Sequence, residues 1–138
     1  MPLTVIKKPE WGLFYYYIQG YCTSAELLKA AEEVTQEPLE RAVTIFDLLK
    51  GDLDMEQQDI MQIIKINKRL YKNGKITTHA AILTNSRTLE IFIKAFELLS
   101  SDEQTKLQTF PSLEQGLIWL GLDEHKVEIQ EILNNIQK

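Results

Sequence analysis

Three stretches of this chain are apolar on successive or nearly successive positions rather than on alternate ones: Leu13-Phe14-Tyr15-Tyr16-Tyr17-Ile18, Ala42-Val43-Thr44-Ile45-Phe46 and Ala80-Ala81-Ile82-Leu83. A strand with apolar side chains on both sides must be covered on both sides, which is the condition of strands inside a mainly parallel sheet with helices packed on it. Parallel neighbours need long crossover connections, generally helices. The segments between these stretches supply them. Thr23 with Glu26 makes a capping box, and Leu27, Ala30, Ala31 and Val34 follow at helical spacing, so a first helix is predicted to run from there and to stop before Pro38. Asp54 with Gln57 opens a second, with Ile60, Ile63, Ile64, Asn67, Leu70 and Tyr71 as its inward stripe and Asn73-Gly74 as its end. A strand is predicted from Ile76 to Thr84, and Asn85 or Ser86 caps a third helix whose stripe is Leu89, Phe92, Ile93, Phe96 and Leu99. After a short strand, Lys106 to Phe110, a Ser112 to Gln115 box starts a fourth helix with Leu113, Gly116, Leu117 and Leu120 inward. Gly121 interrupts it, Asp123 recaps, and Ile129, Ile132, Leu133 and Ile136 mark a last amphipathic helix.

At the amino-terminal end, Leu3 to Lys7 alternates as a half-buried strand and is joined by Pro9 to Gly12 to the strand Leu13 to Gly20, which reads as a β-hairpin. The prediction is an α/β protein with a mixed, mainly parallel sheet of about five strands in the order β-β-α-β-α-β-α-β-α plus a C-terminal helix. Residues 1–138 are expected to form a single domain, with 122–138 as a helical extension.

Composition narrows the function classes. The formal charge of −5 lacks the basic footprint of a nucleic-acid binder. Apolar runs stay well short of the roughly 20 residues that span a bilayer, so no transmembrane segment is expected. One cysteine, Cys22, permits no internal disulfide, and Met1-Pro2-Leu3-Thr4 lacks the start of a secretory signal, which makes the cytoplasm the expected location. His79, His125 and Cys22 have no ligand spacing, so no metal is expected, and no Gly-rich phosphate loop is present, so no cofactor is expected either. A Cys22 or Ser86, His79 and Asp47 triad has no local sequence support, and no convergent acid, base and nucleophile can be read. The chain is expected not to be an enzyme.

The stretch Arg41 to Asp54 is the candidate centre of function. It opens as a buried strand, turns acidic at Asp47 and is expected to break at Lys50-Gly51 before the second helix, a handover of the kind at which α/β sheets meet their ligands. Asp47, Lys50, Gly51, Asp52 and Asp54 are the candidate partner-binding residues. Asn85, Ser86 and Arg87, after the next strand, are candidates for binding an anion or ligand through helix amides and the Arg87 guanidinium, against the plain reading of Ser86 as a cap and Arg87 as solvated.

The segment Phe110-Pro111-Ser112-Leu113-Glu114-Gln115-Gly116-Leu117-Ile118-Trp119-Leu120 resembles the closing strand-to-helix signature of the SpoIIAA-like family, small bacterial proteins with the STAS (sulfate transporter and anti-sigma-factor antagonist) type of fold. Gly116 stands where alanine is expected. The resemblance spans Leu3 to Leu120, including Asp47 and Gly51, and leaves out the tail from Asp123. It implies a non-enzymatic regulatory or protein-interaction module that uses the loop and helix after the third strand. Antagonists of this type carry a phosphorylated Ser or Thr there, but Leu48 to Met55 contains no hydroxyl residue, so a phosphorylation switch is not expected. Asp52 and Asp54 would be at most a permanently negative substitute, lacking the charge and three acceptor oxygens of a phosphate. The family's fold has also been compared with lipid-carrying SEC14-like domains. That likeness implies the alternative of a carrier or sensor of a small apolar ligand held between sheet and helices, which a cavity of several hundred Å3 would favour. An unknown protein partner is thus expected first. Trp11 and Trp119, expected to be exposed, leave room for a homodimer.

Overall fold

The computed structural model describes residues 3–34, 43–54, 58–59, 62, 78–100 and 105–137. Strand β1 (Leu3–Lys8) runs into a 3-10 turn (Pro9–Trp11), and Gly12, at φ 66°, donates its N–H to Pro9 O and reverses the chain into β2 (Leu13–Thr23). The predicted hairpin is therefore present, with Val5 opposite Tyr16. Helix α1 (Ser24–Val34), strand β3 (Val43–Asp54), strand β4 (Thr78–Leu83), helix α2 (Arg87–Ser100), strand β5 (Thr105–Phe110), helix α3 (Leu113–Leu120), a 3-10 turn (Asp123–His125) and helix α4 (Lys126–Gln137) follow. The stripe expected for a helix over Ile60 to Tyr71 lies outside the described residues, as do the Asn73-Gly74 end and the stop before Pro38.

The strands lie in the order β1-β2-β3-β4-β5, the first pair antiparallel and the others parallel. This is the mixed, mainly parallel sheet that the doubly apolar stretches require. Side chains of β2 divide as their alternation dictates: Leu13, Tyr15 and Tyr17 join Val43, Ile45, Ala81 and Leu83 under α3 and α4, while Phe14 and Tyr16 face Leu27 of α1. On that second side Ala80 and Ile82 pack with Ile93 of α2 and Leu107 of β5. Tyr16 and Phe46 stack at 4.8 Å between ring centroids. Both sides of the sheet thus carry buried apolar side chains. Helix α3 sits close because Gly116 leaves room: a Cβ there would come within 2.9 Å of Leu83 Cδ2.

The helix starts follow the sequence signals. Thr23 Oγ1 accepts from Glu26 N at 3.3 Å, Ser86 Oγ from Leu89 N at 3.2 Å, and Ser112 Oγ from Gln115 N at 3.3 Å. Asp123 does not recap, however. It begins the 3-10 turn, whose N-cap position is held by Leu122 without a side-chain bond, and α4 starts only at Lys126.

Two further expectations are corrected. Strand β3 does not break at Lys50-Gly51 but runs to Asp54, because β2 also runs on to Thr23 and pairs with it, Gln19 beside Lys50 and Thr23 beside Asp54. Asp54 thus ends a strand, and the residues expected in a loop are held by ladder hydrogen bonds. Gly51 is needed there for space rather than for a turn: a Cβ would stand 2.6 Å from both Ile18 O and Ile18 Cγ2. Nor are Trp11 and Trp119 exposed. Trp11 is half-buried and stacks on His125 at 3.8 Å and 16°, and Trp119 is half-buried between His79 and Phe110, at 5.3 and 5.4 Å. These rings find their partners within the chain, since the hairpin turn and the α3–α4 corner fold against each other.

Candidate functional site

Between the pairs Tyr17–Asp47 and Gln19–Lys50, β3 has two residues, Leu48 and Leu49, where β2 has only Ile18. Such a bulge breaks the strict alternation of side chains and re-aims them. Its effect here is that Asp47, Leu49 and Lys50 all border one space, a cleft of about 370 Å3 completed by Tyr17 of β2, Leu113 at the start of α3, and Gln130, Leu133 and Asn134 of α4. The cleft lies at the carboxyl end of the parallel strands, where α/β sheets bind ligands.

Asp47 is 6% exposed, a buried carboxylate among aromatic and aliphatic neighbours. Tyr15, its diagonal neighbour across the β2–β3 pair, donates its hydroxyl to Oδ2 at 2.5 Å, and Leu49 N donates to Oδ1 at 3.1 Å. Burial, reinforced by Asp47, pushes the Tyr15 phenol far above its ordinary range, so it remains a donor at any physiological pH. Lys50 is exposed at the same cleft.

Of the other residues singled out from the sequence, Gly51 packs on Ile18, and Asp52 is exposed beside Tyr21, which is 62% exposed. Asp54 pairs with Thr23 at the strand end. Asn85, Ser86 and Arg87 are exposed beyond β4, on the same edge of the parallel sheet, but do not line the cleft; Ser86 caps α2 and donates its N–H to Thr84 Oγ1 at 3.0 Å. The cleft's remaining walls, Tyr17, Leu49, Leu113, Gln130, Leu133 and Asn134, were not picked out as site residues. The one signal for the α4 pair is Gln130 and Asn134 four apart, flanking the apolar stripe at Leu133.

Cys22, His79 and Asp47 do not form a catalytic unit. The Cys22 thiol lies 3.5 Å from Thr23 O and 3.7 Å from a Glu26 carboxylate oxygen, and burial, then Glu26, pushes it up to about 11. His79 packs against Trp119 in a T-shaped contact, and Asp47 is in register with Leu83, four residues along β4 from His79, a separation of roughly 13 Å. Ser86 is engaged as a helix cap. Among the described residues no group of three or more His, Cys, Asp or Glu side chains is placed to hold a metal ion, and no helix is long and apolar enough to cross a membrane.

No protein-family model matches the chain, and no curated protein matches it. Among solved structures, it is similar to an uncharacterized protein of the DUF3478 family with a SpoIIAA-like fold from Shewanella loihica PV-4, at 13% sequence identity and a TM-score of 0.55, over 86% of this chain and 91% of that one. The α/β architecture with its five-stranded mixed sheet is thus a SpoIIAA-like, STAS-type fold.

Proposed function

We propose that the protein is a non-enzymatic interaction module of the STAS type that meets a partner protein with the outer end of β2 and β3. One observation carries this reading: Lys50 and Asp52 are held exposed on a paired strand, with the exposed Tyr21 beside Asp52. A rigid strand loses little entropy on binding, and tyrosine is enriched in interfaces. Gly51 and Asp54 keep this segment in its strand, and Asn85, Ser86 and Arg87 extend the surface along the same edge. Fold likeness adds analogy only, since one fold serves many functions. In affinity capture from the host's own lysate, the double variant Tyr21→Ala, Asp52→Lys is expected to lose proteins that the parent chain retains while its thermal unfolding is unchanged. Equal retention by both would sink the reading.

The cleft favours a second reading, a carrier or sensor of a small ligand. Its volume of about 370 Å3 falls within the range of ligand pockets, roughly 300–1,000 Å3, and it lies between sheet and helices. Native mass spectrometry of the chain purified from its host is expected to show a retained small mass. A bare chain mass of 16.0 kDa would leave the partner-binding reading ahead.

A further inference from the structure

We propose that the cleft beside Asp47 binds a small zwitterion with an apolar side chain, of the free α-amino acid class, its ammonium on Asp47 and its carboxylate on Lys50. The inference rests on the second reading above and names the ligand's chemistry.

Asp47 supplies the first argument. A carboxylate this deeply buried is costly unless its charge is compensated. Each of its oxygens accepts one protein hydrogen bond, from the Tyr15 hydroxyl and from Leu49 N, and neither donor carries a charge. Among the described residues it has no ion pair. Each oxygen keeps further acceptor capacity, and the carboxylate borders open space. A ligand ammonium meets both conditions.

Lys50 supplies the second. The bulge brings it to the same cleft only three residues along β3, on the solvent side, and it has no ion pair among the described residues. Opposite charges bordering one cleft select by repulsion as well as by attraction. A simple amine meets Lys50, and a fatty acid meets Asp47. A molecule carrying both charged groups on one carbon satisfies both. Tyr17, Leu49, Leu113 and Leu133 then form the apolar walls for its side chain, with the Gln130 and Asn134 amides on α4 beside it. A volume of about 370 Å3 accommodates a small molecule.

Ligand-observed NMR and titration calorimetry of the full chain test this, with L-leucine and L-phenylalanine as probes and N-acetyl-L-leucine, L-leucinamide and decanoate as comparisons. Saturable binding of a zwitterion is expected, with both blocked derivatives weaker by about 10-fold or more. Asp47→Asn is expected to weaken binding about 10- to 100-fold, as loss of a charged hydrogen bond does. Lys50→Gln, at an exposed position, checks the site independently should the Asp47 variant fold poorly, and is expected to bring L-leucinamide and L-leucine to similar affinity. Equal binding of L-leucine and its N-acetyl derivative would overturn the proposal. Decanoate binding unaffected by Asp47→Asn would overturn the zwitterion while supporting an apolar carrier. Failure of every probe, together with a bare mass in native spectrometry, would remove both.

Discussion

Tyr15 and Asp47 stand diagonally across the β2–β3 pair, and the hydroxyl that joins them at 2.5 Å satisfies a carboxylate that water hardly reaches. Removing the hydroxyl leaves Oδ2 without that donor, which costs about 1–3 kcal/mol. Tyr15→Phe is therefore expected to lower the unfolding free energy by that amount, read as a lower urea midpoint with an unchanged slope of the transition. The same residue, with Cys22, predicts how the fold responds to alkali. Burial, followed by a neighbouring carboxylate in each case, favours the neutral form of both groups in the folded chain. An acid whose pKa is raised by folding contributes stability that is complete below its unfolded value and is lost as pH rises toward its folded value. For Cys22 the window runs from 9.0 to about 11, and the Tyr15 share begins to go above 10.0. Urea midpoints are thus expected to be level up to about pH 9 and to fall progressively beyond it, the fall between 9 and 11 becoming smaller in Cys22→Ala. Thiol labelling of the folded chain at pH 8 is expected to be slow for the same reason.

At the scale of elements, the bulge in β3 matters most. It turns an alternating strand into one that aims Asp47, Leu49 and Lys50 at a single cleft, and beyond it Gly51 lies against Ile18 with no space for a side chain. Backbone cannot yield as a flexible side-chain end can. Gly51→Ala is expected to cost about 1–3 kcal/mol and to lower Tm by several degrees, measured by circular dichroism. Three helix starts were legible in the sequence, because a cap is a local bond between residues three apart: Thr23, Ser86 and Ser112 cap as the sequence indicates, while Asp54 ends a strand and Asp123 does not cap. Strand ends were the least legible. Whether Lys50 to Asp54 continue a strand depends on whether Gln19 to Thr23 run alongside, and those residues are more than 30 positions away in sequence.

Across the whole molecule, α4 belongs to the main core rather than merely following it. Leu122, Ile129 and Leu133 are buried with Tyr15, Ile45 and Leu117 in one cluster, and the Trp11–His125 stack ties the other end of the chain to the same corner. Burial of an aliphatic side chain is worth about 1.5–3 kcal/mol, so these three together approach the 5–15 kcal/mol by which a domain is usually stable. A chain truncated after Gly121 is expected to lose cooperative unfolding and to expose its remaining apolar surface to a hydrophobic dye. A truncated chain with the parent's midpoint would show that the last helix is dispensable.

By itself the sequence determined the layered α/β architecture, the hairpin, the caps at Thr23, Ser86 and Ser112 and the two-sided burial of β2 and β4. Periodicity and capping act between residues a few positions apart, and the resemblance of Phe110 to Leu120 to a known packing signature pointed to the same fold. It also singled out Asp47 and Lys50, though as members of a loop. Only the tertiary structure decided that they stand in a strand, that a bulge turns them to one cleft, that Gln130 and Asn134 border it, and that the two tryptophans are half-buried. Those facts arise where β2, β3, α3 and α4 meet, and register and cross-element packing are set by contacts that no local pattern of residues encodes.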